Sequence, residues 1–328
     1  MSTAITPPAQ TSSPTIAQRR RRHVLDLDDF TSDEIGEILE TAASMKEILS
    51  RPIPQAPALR GLNVVNLFYE DSTRTRISFE LAAKALSANV VNMSAKGSSV
   101  EKGESLIDTI RTLQALSTSI LVIRHHESGA PYLAAQHFKG SVINAGDGRH
   151  AHPTQALLDL FTIQERLGRL AGLKVVIVGD ILHSRVARSN IWGLTTMGAQ
   201  VVLCAPHTLL GPAASWQAIW PDLTIGTNLD ESIAGADVIM TLRLQKERQE
   251  TGLLPSLREY TRFFGITAER VKLAAPHCLV MHPGPMNEGV EIMPDVATSA
   301  QSVIEQQVTN GVAVRMALLY RLAGESQC

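Results

Sequence analysis

The sequence has little of what several function classes require. Its three cysteines, Cys204, Cys278 and Cys328, are odd in number and widely spaced, which fits neither a disulfide framework nor a zinc knuckle. A reducing cytoplasm is the expected compartment. No apolar stretch approaches the length of a membrane-spanning helix. A formal net charge of -2 leaves no footprint for nucleic acid or an acidic membrane surface. There is no internal repeat. Gly179-Asp180 follows an apolar strand, but Ile181–Ser184 adds none of the glycines that a dinucleotide turn needs, so a nicotinamide cofactor is disfavoured and no other is indicated. No Ser-His-Asp order, reactive cysteine context or paired carboxylates suggest covalent catalysis. No acidic residue precedes Asp26. Residues 1–22, rich in Ser, Thr and Pro and ending in four arginines, read as a disordered tail. A transit peptide is the sharper alternative, against which Pro7, Pro8 and Pro14 argue.

What is present is a chain of 328 residues, 44% hydrophobic and 19% charged, suited to a soluble globular protein of two domains. Thr31 and Glu34 have capping-box spacing before an apolar helical face of Ile35, Ile38, Leu39 and Ala42. Strands are expected at Asn63–Phe68, Asn89–Met93, Ile120–Arg124, Ser141–Ala145, Lys174–Val178, Gln200–Cys204, 225–226, Val238–Leu242 and Cys278–Met281. Helices are expected at 77–87, 103–117, 131–138, 153–167 and 184–197, and an apolar one runs from Val303 to Leu322. Strands alternating with helices predict an α/β protein of two doubly wound parallel-sheet domains. Helix 153–167 is the expected link between them.

The residues suited to chemistry fall at strand ends, where open α/β sheets bind ligands. Ser72-Thr73-Arg74-Thr75-Arg76 follows the first strand on a strand-to-helix turn. Helix N-terminal N–H groups and arginine forks together suit a phosphate. Ser98 to Glu104 is a loop of hydroxyls and Lys102. Arg124 ends a strand. His150 and His152 precede Pro153-Thr154-Gln155. The two histidines suggest a metal pair, but no carboxylate or cysteine pattern completes one, so no metal site is assigned. A hydrogen-bond donor is the more modest role for His152. Arg185 follows Gly179-Asp180. Arg243 and Gln245 would point to one side of an extended segment. His282-Pro283-Gly284-Pro285 is a rigid turn whose prolines leave carbonyls free to accept. Donors for phosphate in the first half and separated arginines in the second suit a phosphorylated substrate and a carboxylate-bearing one.

Ser72-Thr73-Arg74-Thr75-Arg76, His152-Pro153-Thr154-Gln155 and His282-Pro283-Gly284-Pro285, in this order, resemble the carbamoyltransferase family from about His23 to the C-terminus. The resemblance is greatest to the catalytic chains that carbamoylate aspartate. It implies that Ser72, Thr73, Arg74 and Thr75 hold the phosphate of carbamoyl phosphate and that Arg124 bridges phosphate and carbonyl oxygen. Thr75, Arg124 and His152 would donate to that oxygen. Gln155 and the carbonyls of Pro283 and Gly284 would take the carbamoyl NH2. Arg185 would pair with the aspartate α-carboxylate, and Arg243 and Gln245 with its β-carboxylate; Gly284 and Pro285 would line that side. Ser98 and Lys102 resemble a loop that reaches the site from a neighbouring subunit, Lys102 touching both substrates, which implies a homotrimer with shared sites. A regulatory chain or a dihydroorotase is a further partner in some members. The implied domains are 23–153 with helix 303–328 for carbamoyl phosphate and 154–302 for aspartate, after the tail 1–22. Ornithine carbamoyltransferases, with a His-Cys-Leu-Pro late turn, and a non-catalytic scaffold homologue are the alternatives. Glu101 puts an acid beside Lys102, and Glu288 stands where similar chains would be expected to have a basic residue.

Overall fold

The computed structural model describes residues 21–94, 104–244, 252–254 and 256–324. Among the described residues, nine strands form two sheets, both wholly parallel. The first holds β1 (Asn63–Phe68), β2 (Asn89–Ser94), β3 (Ile120–His125) and β4 (Ser141–Asp147), in the order β2-β1-β3-β4. The second holds β5 (Lys174–Val178), β6 (Gln200–Cys204), β7 (Thr224–Gly226), β8 (Val238–Thr241) and β9 (Leu279–Met281), in the order β7-β6-β5-β8-β9. The main helices are α1 (Ser32–Leu49), α2 (Thr73–Ala85), α3 (Leu106–Ala115), α4 (Ala130–His137), α5 (Pro153–Leu167), α6 (Arg185–Thr196) and a terminal helix, Ile304–Ala323. Among the described residues no helix is long and apolar enough to cross a membrane.

Parallel strands covered on both faces should be apolar throughout rather than alternating. β3 and β4 are buried at every position. In β1 the two faces separate by parity: Val64 and Phe68 join one core, Val65 and Leu67 the other. The second of these cores lies under α3 and α4, with Ile110, Leu113, Ala134 and Phe138. The larger core takes in α1, α2, α5 and the terminal helix and continues under the second sheet. β2, at the edge, has no buried position.

The local signals explain the ends. Thr31 and Glu34 form the expected capping box, Thr31 Oγ1 accepting from Glu34 N at 3.2 Å and Glu34 Oε2 from Thr31 N at 2.9 Å. α5 starts on Pro153 and stops at Gly168, whose φ of 74° is left-handed. Burial runs without a break from Pro153 to Ile163, and α5 packs on α1, α6 and the terminal helix. It therefore ties the two sheets through their cores.

One expected boundary moves. α2 begins at Thr73, four residues before the expected start at 77, so the Ser-Thr-Arg run is its cap and first turn rather than a connection. The Ile77 and Leu81 spacing is helical but marks an exposed stripe, at 46% and 51% exposure, while Phe79, Ala82 and Ala83 face the core.

Strand order places the site. In the first sheet the chain leaves β1 toward β2 and then crosses back to β3, so order reverses between β1 and β3. In the second, β6 and β7 lie on one side of β5 and β8 and β9 on the other. Ligand crevices open at the carboxyl ends beside such reversals. Glu70 to Arg76 and Arg124 follow β1 and end β3; Asp180 to Arg185 and Arg243 follow β5 and β8.

Candidate active site

Ser72 caps α2 in extended geometry, yet its hydroxyl makes no capping bond. The first-turn N–H groups are therefore not closed off by their own cap. Thr75 is buried just inside, whereas Thr73 and Arg74 are exposed. The Arg74 guanidinium lies against Gly284 in the turn after β9. A Cβ there would sit 2.4 Å from Arg74 Nη1, and the φ of +62° favours glycine independently. Burial, then the charge of Arg243, pulls the Arg74 pKa down from its ordinary value. Arg74 comes from the first sheet's side and Gly284 and Arg243 from the second's. This meeting of like charges suits a multiply charged anion.

A second arginine pair is built differently. Arg124 is buried at the end of β3, donating to Ala145 O at 3.1 Å and to Glu70 Oε1 at 2.8 Å. Arg185, first residue of α6, forks onto the same carboxylate at 2.9 and 2.8 Å and also donates to Gly148 O at 3.2 Å. Gly146, at φ +116°, makes room: a Cβ would lie 3.0 Å from Arg185 Cζ and 3.1 Å from Arg124 Nη1. Ser184 caps α6 by accepting from Ala187 N at 3.1 Å, which fixes where Arg185 starts.

His152 caps α5 and is buried, with its backbone N–H donating to Ser189 Oγ at 2.9 Å. Its Nδ1 has no partner among the described residues. Burial first, then the charges of Arg124, Arg185 and Arg315, hold its pKa well below the ordinary value. The ring is thus neutral near pH 7 and keeps one N–H to donate. His150 points elsewhere: it pairs with Asp147 at 3.2 Å, so the two histidines do not share a centre. Gln155 is buried in the first turn of α5, its Nε2 donating to Asp159 Oδ1 at 2.9 Å. In the late turn, Gly284 N donates to His282 Nδ1 at 2.7 Å. The ring proton is therefore on Nε2, facing Glu291 Oε1 at 3.3 Å. This locks the turn and leaves the half-buried Pro283 and Gly284 beside Arg74; Pro285 is exposed. Cys204 and Cys278 are buried free thiols, and burial pushes Cys278 up to about 12, far from a nucleophile's range.

Among the described expectations, Ser72 to Thr75, Arg124, His152, Gln155, Arg185, Arg243 and the 283–285 turn gather at neighbouring strand ends and helix starts. Ser98, Lys102 and Gln245, with Glu101, lie outside the described residues. Sequence reasoning missed Glu70, although an acid four residues before Arg74 in an arginine-bearing run is a signal: buried guanidiniums need a counter-charge. It also missed Asp159, Ser189 and Gln307, whose polar side chains sit within otherwise apolar helical faces.

Two family models cover most of the chain. The aspartate/ornithine carbamoyltransferase carbamoyl-P binding domain matches residues 22–165, and the Asp/Orn binding domain of the same family matches 171–322. The aspartate carbamoyltransferase catalytic subunit of Roseiflexus castenholzii is 79% identical over 94% of this chain and 97% of its own. The aspartate transcarbamoylase of Trypanosoma cruzi, solved with carbamoyl aspartate and phosphate, superposes with a TM-score of 0.85 at 31% identity, covering 94% of this chain and 98% of its own. The catalytic subunit of the M. jannaschii aspartate transcarbamoylase gives 0.81 at 36% identity, over 94% and 99%. With two parallel sheets, motifs at both strand-order reversals and matches of this extent, the chain belongs to the aspartate/ornithine carbamoyltransferase family.

Proposed function

We infer that the chain transfers the carbamoyl group of carbamoyl phosphate to the amine of L-aspartate, giving N-carbamoyl-L-aspartate and phosphate. The observation that carries this reading is the exchange of arginines between the halves: Arg74 reaches Gly284 and Arg243, and Arg185 reaches Glu70. Two anionic substrates are thereby gripped across one crevice. Ser72, Thr73, Arg74 and Thr75 hold the phosphate at the start of α2, and Arg124 bridges it to the carbonyl oxygen. The aspartate amine attacks the carbonyl carbon, the C–O bond to phosphate breaks, and the departing phosphate accepts the amine proton. Thr75, Arg124 and neutral His152 donate to the oxygen as it gains charge, in a site fixed beforehand. Gln155 and the carbonyls of Pro283 and Gly284 receive the carbamoyl N–H groups. Arg185 takes the α-carboxylate in exchange for Glu70, and Arg243 with Gln245 takes the β-carboxylate. Alignment of two substrates supplies much of the rate.

The same reading makes the enzyme a cytoplasmic homotrimer, with Ser98 and Lys102 completing a neighbour's site. The exposed Ile77 and Leu81 beside the exposed strand β2 support a covered face there. It divides the chain near residue 153, with the terminal helix counted in the carbamoyl phosphate domain; the packing of that helix on α1 and α2 supports this.

The test is carbamoyl transfer with aspartate and ornithine side by side. Turnover with aspartate alone is expected. Turnover with ornithine alone would overturn the roles of Arg185, Arg243 and Gln245, and turnover with neither, without binding of a phosphonate bisubstrate analogue, would leave a scaffold. For shared sites, mixing inactive Arg124→Ala and Lys102→Ala chains should restore activity; no recovery would mean self-sufficient subunits.

A further inference from the structure

Asp159 is fully buried in the middle of α5 and lies at the centre of a polar cluster. Its Oδ1 accepts from Gln155 Nε2 at 2.9 Å and from Gln307 Nε2 at 2.7 Å, and its Oδ2 accepts from Asn190 Nδ2 at 2.9 Å. Two of these amides have their direction fixed by backbone. Gln307 Oε1 accepts from His282 N at 3.0 Å, and Asn190 Nδ2 also donates to Val186 O at 3.1 Å. Gln155 has no backbone tie of this kind among the described residues. Its orientation is set by Asp159. An ionised carboxylate only accepts, so it holds the Gln155 NH2 inward and turns Oε1 away from itself.

We propose that Asp159 is a positioning residue that sets the hydrogen-bonding sense of the nitrogen subsite, making Gln155 present an acceptor and so selecting a carbamoyl group over an acyl group that lacks N–H. This rests on the carbamoyl-transfer reading above and names what decides its donor substrate. Through Gln307 and the His282 N–H, the same carboxylate also references the 282–285 turn, whose carbonyls are the other acceptors. Arg315 of the terminal helix, buried over the Phe79 ring, is the charged neighbour that favours the ionised form. The other three partners, from α5, α6 and the terminal helix, are neutral amides, and His152 at the head of α5 is uncharged. Burial opposes Arg315 and raises Asp159 to about 6. Once protonated it must donate, and Gln155 is the amide able to turn and accept. That turn would place NH2 where the substrate also has NH2.

The probe is acetyl phosphate, in which methyl replaces the amino group. In its reaction the aspartate nitrogen bonds to the acetyl carbon, the C–O bond to phosphate breaks, and phosphate takes the amine proton. The readout is the ratio of kcat/KM for carbamoyl phosphate to that for acetyl phosphate, both with aspartate. Asp159→Asn can offer its NH2 to Gln155 Oε1, and the ratio is expected to fall by about tenfold or more, since a site built for a polar group loses its rejection of the analogue. Loss of a buried carboxylate can unfold a chain, so the ratio is also followed in the unsubstituted enzyme from pH 8 to pH 5. Ionisations common to both reactions cancel, and the ratio should drop through about pH 6. If Asp159→Asn does not fold, the pH series decides. A ratio constant within about twofold would overturn the role of Asp159 and leave carbamoyl transfer standing. Absence of carbamoyl transfer by the unsubstituted enzyme would overturn the underlying reading, and the inference with it.

Discussion

Each half of the molecule lends an arginine to the other, and the two loans are made on different terms. Arg185 belongs to the second sheet's α6 but is held by the first half, by Glu70 and Gly148 O over Gly146. Arg74 belongs to the first half's α2 but lies on Gly284 and meets the like charge of Arg243. One crossing is neutralised within the protein. The other brings two like charges together at the crevice. The first joins the halves through a shared carboxylate; the second is the crossing that, in the proposed function, meets the phosphate.

Removing Arg74 should separate these terms most sharply. If Arg74 holds the phosphate as proposed, Arg74→Ala removes a donor to the reacting group, and kcat/KM should fall by on the order of 100-fold to 1,000-fold. Folding stability should not fall, because the repulsion with Arg243 goes with it. Steady-state kinetics and urea unfolding on one preparation check both halves of the statement. A large loss of stability would mean that Arg74 serves the fold as Arg185 does.

Glu70→Gln attacks the other crossing. It leaves Arg124 and Arg185, 9% and 4% exposed, without their shared charge. Glu70 keeps 23% side-chain exposure, so the cost should be about 1–3 kcal/mol, below that of a fully buried pair. The KM for aspartate should also change, because Arg185 no longer exchanges partners. Unaltered stability and KM would show the crossing to be idle.

A pH experiment sharpens the contrast, because the buried acids of the α5 neighbourhood behave unlike the paired ones at the surface. Burial raises Asp26 to about 6, although it accepts from Leu27 N at 2.8 Å and Ser189 Oγ at 3.0 Å, near His150 at 3.8 Å. A folded pKa above the unfolded one adds stability that is complete below the unfolded value of 3.8 and is lost as pH rises through about 6. Asp26→Asn removes that loss. Relative to the unsubstituted chain it should therefore be more stable at pH 8 than at pH 5, by about 1–3 kcal/mol, a separation that equilibrium unfolding at the two pH values measures. A difference independent of pH would show that Asp26 titrates normally. His152, held well below its ordinary pKa by burial and then by the charge of Arg124, is expected to contribute no acidic limb to the pH–kcat profile near neutral pH.

These effects rest on contacts of very unequal legibility. The capping box at Thr31, the apolar strands and the motif turns are local, so residue order alone carries them. α2 starts earlier than expected because hydroxyl and arginine residues weaken apolar periodicity in its first turn, even though backbone bonds continue through it. The Arg185–Glu70 and Gln307–Asp159 bonds span 115 and 148 residues. No periodicity announces such pairs; they exist because two sheets meet along α5. The residue types of the site were thus readable, while the charges and amides that orient them needed the fold.

The smallest expected effects compare two helix caps of equal chemistry and different cargo. Thr31 caps α1, which carries none of the proposed site residues, by accepting from Glu34 N at 3.2 Å. Ser184 caps α6, whose first residue is Arg185, by accepting from Ala187 N at 3.1 Å. Substitution of either by Ala should cost about 1 kcal/mol of stability, the usual value of a cap. Only Ser184→Ala should also raise the KM for aspartate, by a few-fold, because the loosened first turn lets the Arg185 fork wander from its carboxylate partner. Thr31→Ala should leave both kinetic constants unchanged. Equal kinetic effects from the two would mean that stability alone transmits them. Distinct effects would mean that the start of α6 sets the geometry of the aspartate site.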